Sequence, residues 1–333
     1  MPLIHTTPIK GWLFVLGFLM NKFLEWITKN GPSVLALGAV VGLLVPVLTE
    51  WARPLMPVTV FIFVLGTLLR IDNQQMLLAA RDLKVSIVFP FFMVVICPYV
   101  VGTFCLFVNV EQELSLAIAL AVAAPPASGN AAVARMLGLD PSMSLVATLC
   151  SMMIMPMTAP VIMNYFGDGL GLTIDPFELA FRLALLIGGA EGIALLIRRV
   201  ASKQLKNYGV AIDGVVVVSL FVFACGTMRG MQSIIIETPG MALTLMCAAY
   251  VVNIFLQVVC FCFYPGDVNA RFTMALTGGN RNVGLLWSAL GITISPCMAL
   301  FFACSQLPIH TMPKILQYLI PAIKLIRLRC KKT

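Results

Sequence analysis

The sequence predicts an all-α polytopic membrane protein, with ten transmembrane helices arranged as two inverted five-helix repeats. Three observations carry that prediction. First, 60% of the 333 residues are hydrophobic and 11% charged, whereas ordinary soluble domains run near 45–50% apolar and about 25% charged. Second, apolar runs of 17 or more residues recur from end to end, and a helical span needs about 20. Third, two of these runs are broken at corresponding places in the two halves of the chain. The composition excludes disordered, collagen-like and disulfide-scaffold classes. The lipid bilayer is the expected solvent and partner.

The remaining composition bears on partners and cofactors. A net charge of +8, from 22 Lys+Arg against 14 Asp+Glu, would suggest nucleic acid in a soluble chain. Here the bases lie in loops, where they set topology, so no nucleic-acid partner is expected. Ten cysteines fall mostly inside apolar runs and read as small buried hydrophobes. Cys260 and Cys262 have no second pair at zinc spacing, and the histidines are only His5 and His310. No structural metal and no organic cofactor are expected.

Taken in order, residues 1–31 read as a cytoplasmic N-terminus with an amphipathic interfacial helix over 11–29. The first repeat occupies 32–165, with apolar segments 32–48, 54–70, 84–108, 114–137 and 142–165. The second, inverted repeat occupies 175–322, with segments 176–198, 210–228, 240–263, 270–291 and 294–322. A basic cytoplasmic tail, 323–333, follows. With ten spans, 17 Lys and Arg fall on the side of the termini. Only Arg53, Arg182 and Arg229 fall opposite, while Arg281 and Lys314 lie within spans. Positive-inside insertion then puts both termini in the cytoplasm of a plasma (inner) membrane.

The fourth span contains Ala124-Pro-Pro-Ala-Ser-Gly-Asn130, where two prolines remove backbone donors. The ninth contains Thr277-Gly-Gly-Asn-Arg-Asn282, where Gly278 and Gly279 weaken the helix. A similar stretch follows each break: Met143-x-Leu145, Cys150-Ser151 and Pro160, against Met298-x-Leu300, Cys304-Ser305 and Pro313. Five spans per half is an odd number, so the second half enters the membrane inverted. Paired broken helices in an inverted repeat point to the central binding site of a secondary transporter.

Four motifs in order then resemble the bile acid:sodium symporter family, over roughly residues 32–322. They are Leu65-Gly-Thr-Leu-Leu-Arg-Ile-Asp72, Pro125-Pro-Ala-Ser-Gly-Asn130, Asp140-Pro-Ser-Met-Ser144 and Asn280-Arg-Asn-Val-Gly-Leu285. The resemblance implies a panel domain, a core domain containing crossed fourth and ninth spans, and alternating access for a small organic anion. It places the substrate near Asn130, Asn280, Arg281 and Asn282. It maps a first sodium site to Gly129, Asn130, Ser144, Thr148 and Thr277. There Gly129 replaces a serine and Thr277 replaces an acidic ligand, leaving one residual site of neutral oxygens for sodium. The second sodium site has Met93 and Arg281 where the family carries glutamines. A thioether and a guanidinium offer a hard cation no ligand, so that site is expected to be lost.

Two charges stand out. Arg281 lies in the ninth-span break, where a charge costs at least about 2.5–3.5 kcal/mol on insertion scales. Two readings fit it: a guanidinium that holds a carboxylate or sulfonate, or a plug of the vacated cation site bonded to carbonyls and to Asn130 or Asn282. Glu191, in Gly188-Gly-Ala-Glu-Gly192, reads either as a proton-coupling carboxylate or as a structural partner for a buried base or a watery crevice. Asn253 and Gln257 share a helix face and read as polar contacts between helices. The expected function is secondary active transport of a small organic anion. A sodium-independent or proton-coupled carrier of the same fold and a non-transporting membrane sensor are the alternatives. No enzyme is expected: there is no Asp-rich phosphate motif, no His-Glu-x-x-His and no Ser/His/Asp set.

Overall fold

The computed structural model describes residues 22–70, 73–170, 175–201, 205, 208–290 and 294–330. Among them the chain is all-helical, without a strand. Helix α1 spans Lys22–Lys29, α2 Gly31–Leu44, α3 Pro46–Ala52, α4 Met56–Leu69 and α5 Asn73–Arg81. Helix α6 spans Lys84–Phe107, α7 Gln112–Ala123, α8 Asn130–Met136, α9 Pro141–Gly167 and α10 Pro176–Val200. Then come α11 Gly209–Thr227, α12 Met231–Glu237, α13 Pro239–Phe263, α14 Val268–Gly279, α15 Val283–Leu290 and α16 Pro296–Cys330.

Local chemistry sets many of these ends. Asp140 accepts from the backbone N–H of Ser142 and Met143 at 2.8 and 3.1 Å and starts α9, with Pro141 in its first turn. Asp175 does the same for α10 through Phe177 N–H, and Asp267 for α14 through Ala270 N–H. Val45 is pushed out of the helical region (φ −123°, ψ 82°) because Pro46 follows it, so the apolar segment 32–48 is divided.

Four helices among the described residues, α6, α9, α11 and α13, are long and apolar enough to cross a membrane. The pair Lys22–Lys29 and Ser33–Leu44, bent by 89°, would add a fifth. These helices are compatible with a multi-pass α-helical membrane protein. The segments 114–137 and 270–291 each form two short helices separated by a break. Helix α16 continues to Cys330, so the expected boundary at residue 323 is not a structural break. The backbone keeps its i→i−4 bonds past the last apolar turn. Residues 11–21 of the expected interfacial helix, and Ile71 and Asp72 of the second-span motif, lie outside the described residues.

Packing sorts the helices around the breaks. Helix α11 lies along α2 and α4, whereas α7 packs on α6, α9 and α16, and α13 packs on α14 and α16. Gly42 permits the close approach of α2 to α11: a Cβ there would come within 2.8 Å of the Cys225 Cα and carbonyl oxygen. Such small-residue contacts are how helices close on each other in lipid. The outer faces carry large apolar side chains, with Phe107 81% and Phe177 85% exposed. A hydrocarbon surround, not water, suits such a surface.

Candidate functional site

The two broken helices meet at their breaks. Ala127 N–H donates to the Asn280 carbonyl at 2.8 Å, and Asn282 N–H donates to the Pro125 carbonyl at 2.7 Å. Pro126 and Arg281 thus face each other in a short antiparallel bridge. Each break exposes backbone groups that no helix can satisfy, and the two breaks satisfy part of each other's need.

Side chains complete the crossing. Asn130 Nδ2 donates to the Asn280 carbonyl at 3.1 Å. Asn282 Nδ2 donates to Ser128 Oγ at 3.1 Å, while its Oδ1 accepts from Leu285 N–H and opens α15. From α13, Asn253 Nδ2 donates to the Gly279 carbonyl at 2.8 Å and to Asn280 Oδ1 at 3.2 Å. Gln257 Nε2 in turn holds Asn253 Oδ1 at 2.6 Å. The Asn253–Gln257 pair is therefore a cap on the broken end of α14. Gly279 is needed there, since a Cβ would sit 2.2 Å from Gln257 Cγ. Asn130, Asn280 and Asn282 all line a cavity at the crossing, yet each also holds the crossing together.

Arg281 is 4% exposed and has five N–H donors. Its Nη2 donates to the Met93 carbonyl at 2.9 Å. Local structure explains why that carbonyl is free. Helix α6 passes through a π turn at Phe92–Ile96, so Cys97 N–H reaches Phe92 O, and Pro98 has no N–H to offer. Met93 and Arg281, the two positions expected from the sequence to have lost a sodium site, thus contact each other. The bond to a carbonyl is as the plug reading expects, whereas Asn130 and Asn282 bond elsewhere and not to the guanidinium. Arg281 Nε and Nη1 are buried without a partner. Among the described residues its guanidinium forms no ion pair.

The cavity beside Arg281 measures about 30 Å³. It lies between Leu35 of α2, Phe63 of α4 and Leu220 and Phe223 of α11 on one side, and residues 127–130, 280–282, Gln306 and His310 on the other. His310, 3% exposed, also has a buried partnerless nitrogen, Nε2. Its ring meets Phe223 edge-on, with centroids 6.4 Å apart. In the sequence His310 bears only on the expectation of no metal. Its presence in an apolar run, as one of two histidines in the chain, was the signal that it belongs to a site.

The residues mapped to the first sodium site divide into two sets. Ser144, Thr148 and Thr277 cluster between α9 and α14: Thr277 Oγ1 donates to Ser144 Oγ at 2.8 Å, and Thr148 Oγ1 donates to the Ser144 carbonyl at 2.7 Å. Gly129 and Asn130 line the cavity instead. The hydroxyl cluster has neutral oxygens already bonded to one another, and no group of three or more His, Cys, Asp or Glu suited to a metal occurs among the described residues. The cluster offers a sodium ion neutral oxygens only, and these are already engaged in hydrogen bonds. Glu191 falls within α10, and its side chain lies outside the described residues.

In comparison with known proteins, no family model matches the chain and no curated protein matches it.

Proposed function

We propose that the chain is a secondary active transporter of the bile acid:sodium symporter type, which moves a small organic anion by alternating access. Its ten spans form two inverted five-helix repeats in the plasma (inner) membrane, with both termini in the cytoplasm. One observation carries this reading: two broken helices cross at a buried guanidinium that keeps two nitrogens, Nε and Nη1, without a partner. A cation held in hydrocarbon without a counterion is costly. An anion arriving in the cavity offsets that cost, and a carboxylate or sulfonate fits the fork of a guanidinium. The cavity lies between the α2–α4–α11 group and the crossing. Rocking of one group against the other exposes it to each side in turn. Transport depends little on sodium, because the hydroxyl cluster lacks an acid and Arg281 occupies the other expected cation position.

The test is uptake by purified protein in sealed vesicles, with a panel of labelled small carboxylates and sulfonates under sodium, potassium or choline. Accumulation of at least one anion, with an initial rate that changes little between cations, is expected. A steep sigmoidal sodium dependence would overturn the coupling proposal, and binding without accumulation would make the chain a sensor. Arg281→Lys replaces a fork with a point charge and removes one charge-assisted bond, worth roughly 1.5–3 kcal/mol. Anion affinity should fall about 10- to 150-fold. Unchanged affinity in a folded Arg281→Lys protein would leave Arg281 a structural role only.

A further inference from the structure

Two partnerless nitrogen groups line the same small cavity. Arg281 contributes Nε and Nη1, His310 contributes Nε2, and all three atoms are buried. Among the described residues, Arg281 and His310 are also the only charged or imidazole side chains in the lining, which contains no acid. A second cation there would have nothing in the protein to balance it. Resting on the anion-carrier reading, we propose that His310 is the proton-binding residue of this site, and that the site takes a divalent anion together with one proton.

The charges then close. With a neutral imidazole, the site presents one positive charge and matches a monoanion. Once the imidazole takes a proton from water, guanidinium and imidazolium present two, and a small dianion neutralises both. The proton is released to water with the anion on the far side, so nothing beyond water is needed. At about 30 Å³ the cavity has room for little more than a water or two. The anionic head enters it as the helices part, and apolar remainder of any size lies towards Phe63 and Phe223.

Among the described residues no other ionisable group lines the cavity. On α16 itself, Lys314 bonds Gln317 Oε1 and lies over the Tyr318 ring, and Cys304 contacts Met231 Sδ; Cys247 and Cys262 of α13 are exposed. Of the helices packed on α16, α2 and α15 carry none. From α13, Tyr250 shares a 2.7 Å hydrogen bond with Thr311, and Cys260 contacts Met93 Sδ. From α11, Asp213 is held by Arg70 and Arg135, and Cys225 by the Gly38 carbonyl. Glu113, Glu237 and Arg271 lie towards the ends of α7, α12 and α14.

The test uses anions whose own charge does not change with pH: methanedisulfonate and methanesulfonate. Calorimetry of the purified protein, run between pH 6 and 8 in two buffers of different ionisation enthalpy, gives affinity and proton uptake together. Disulfonate affinity should rise by up to about tenfold per pH unit as pH falls, with nearly one proton taken up per anion. Monosulfonate affinity should change much less. By linkage, anion and proton tighten each other equally. His310→Gln should flatten the disulfonate profile and abolish the proton uptake that accompanies disulfonate binding. Wild-type disulfonate binding that ignores pH overturns the inference but leaves the anion site standing. A pH slope that persists in folded His310→Gln assigns the proton elsewhere and also overturns it. If neither sulfonate binds at any pH, this inference is overturned, while uptake of the carboxylate and sulfonate panel decides the anion-carrier reading separately.

Discussion

At the scale of single residues, the crossing depends on side chains that repair broken backbone. Asn253 is the clearest case, because the Gly279 carbonyl it caps belongs to a helix end that is interrupted inside the protein. Asn253→Ala should cost about 1–3 kcal/mol, the penalty for a buried group left unpaired. It should lower the unfolding midpoint in detergent, measured by intrinsic fluorescence. An unchanged midpoint would mean that water replaces the amide. Arg281 was legible as a charge inside an apolar run, open to a role in holding an anion or to one as a structural plug. Its bond to Met93 was not legible. That bond requires a π turn in α6 whose free carbonyl faces the crossing, and neither the turn nor the facing is encoded in spacing along the chain.

At the scale of elements, the breaks were readable and their meeting was not. Pro125 and Pro126 cannot donate, and Gly278-Gly279 is weak helix, so each interruption is a local property. The hydrogen bonds between the breaks join residues about 150 positions apart in sequence. Close helix contact is likewise tertiary. Gly42 looks like any glycine in an apolar run, but it lies against the backbone of α11 at Cys225. Gly42→Leu should push α2 off α11 and destabilise the protein by about 1–3 kcal/mol or more. Thermal unfolding of the variant in detergent measures this, with Gly188→Leu, which has open space around it, as the comparison. Equal midpoints for the two variants would contradict the packing argument.

At the scale of the whole molecule, charge distribution frames the topology. Asp213 accepts from Arg70 and Arg135, each at 3.0 Å, and ties α11 to the ends of α4 and α8. Glu50 pairs with Arg229 at 2.8 Å. The proposed topology puts the first cluster on the cytoplasmic side and the second pair on the opposite side. In a background without accessible native thiols, Asp168→Cys should react with a membrane-impermeant maleimide added outside cells. Arg81→Cys should react only after the membrane is opened. Reaction of both from the outside would overturn the ten-span arrangement.

The sequence by itself determined the helical membrane character, the places where two helices break and the presence of a charge at one of them. These follow from composition, from the missing N–H of proline and from the cost of charge in hydrocarbon, all of which act over a few residues. Tertiary structure decided that the breaks bond to each other, that Arg281 places Nη2 on Met93 and leaves Nε and Nη1 without a partner, and that His310 shares its cavity. It also placed Ser144, Thr148 and Thr277 in one hydroxyl cluster while Gly129 and Asn130 went to the cavity. Those outcomes depend on which helix faces lie together, and packing across the chain settles that where local propensity does not.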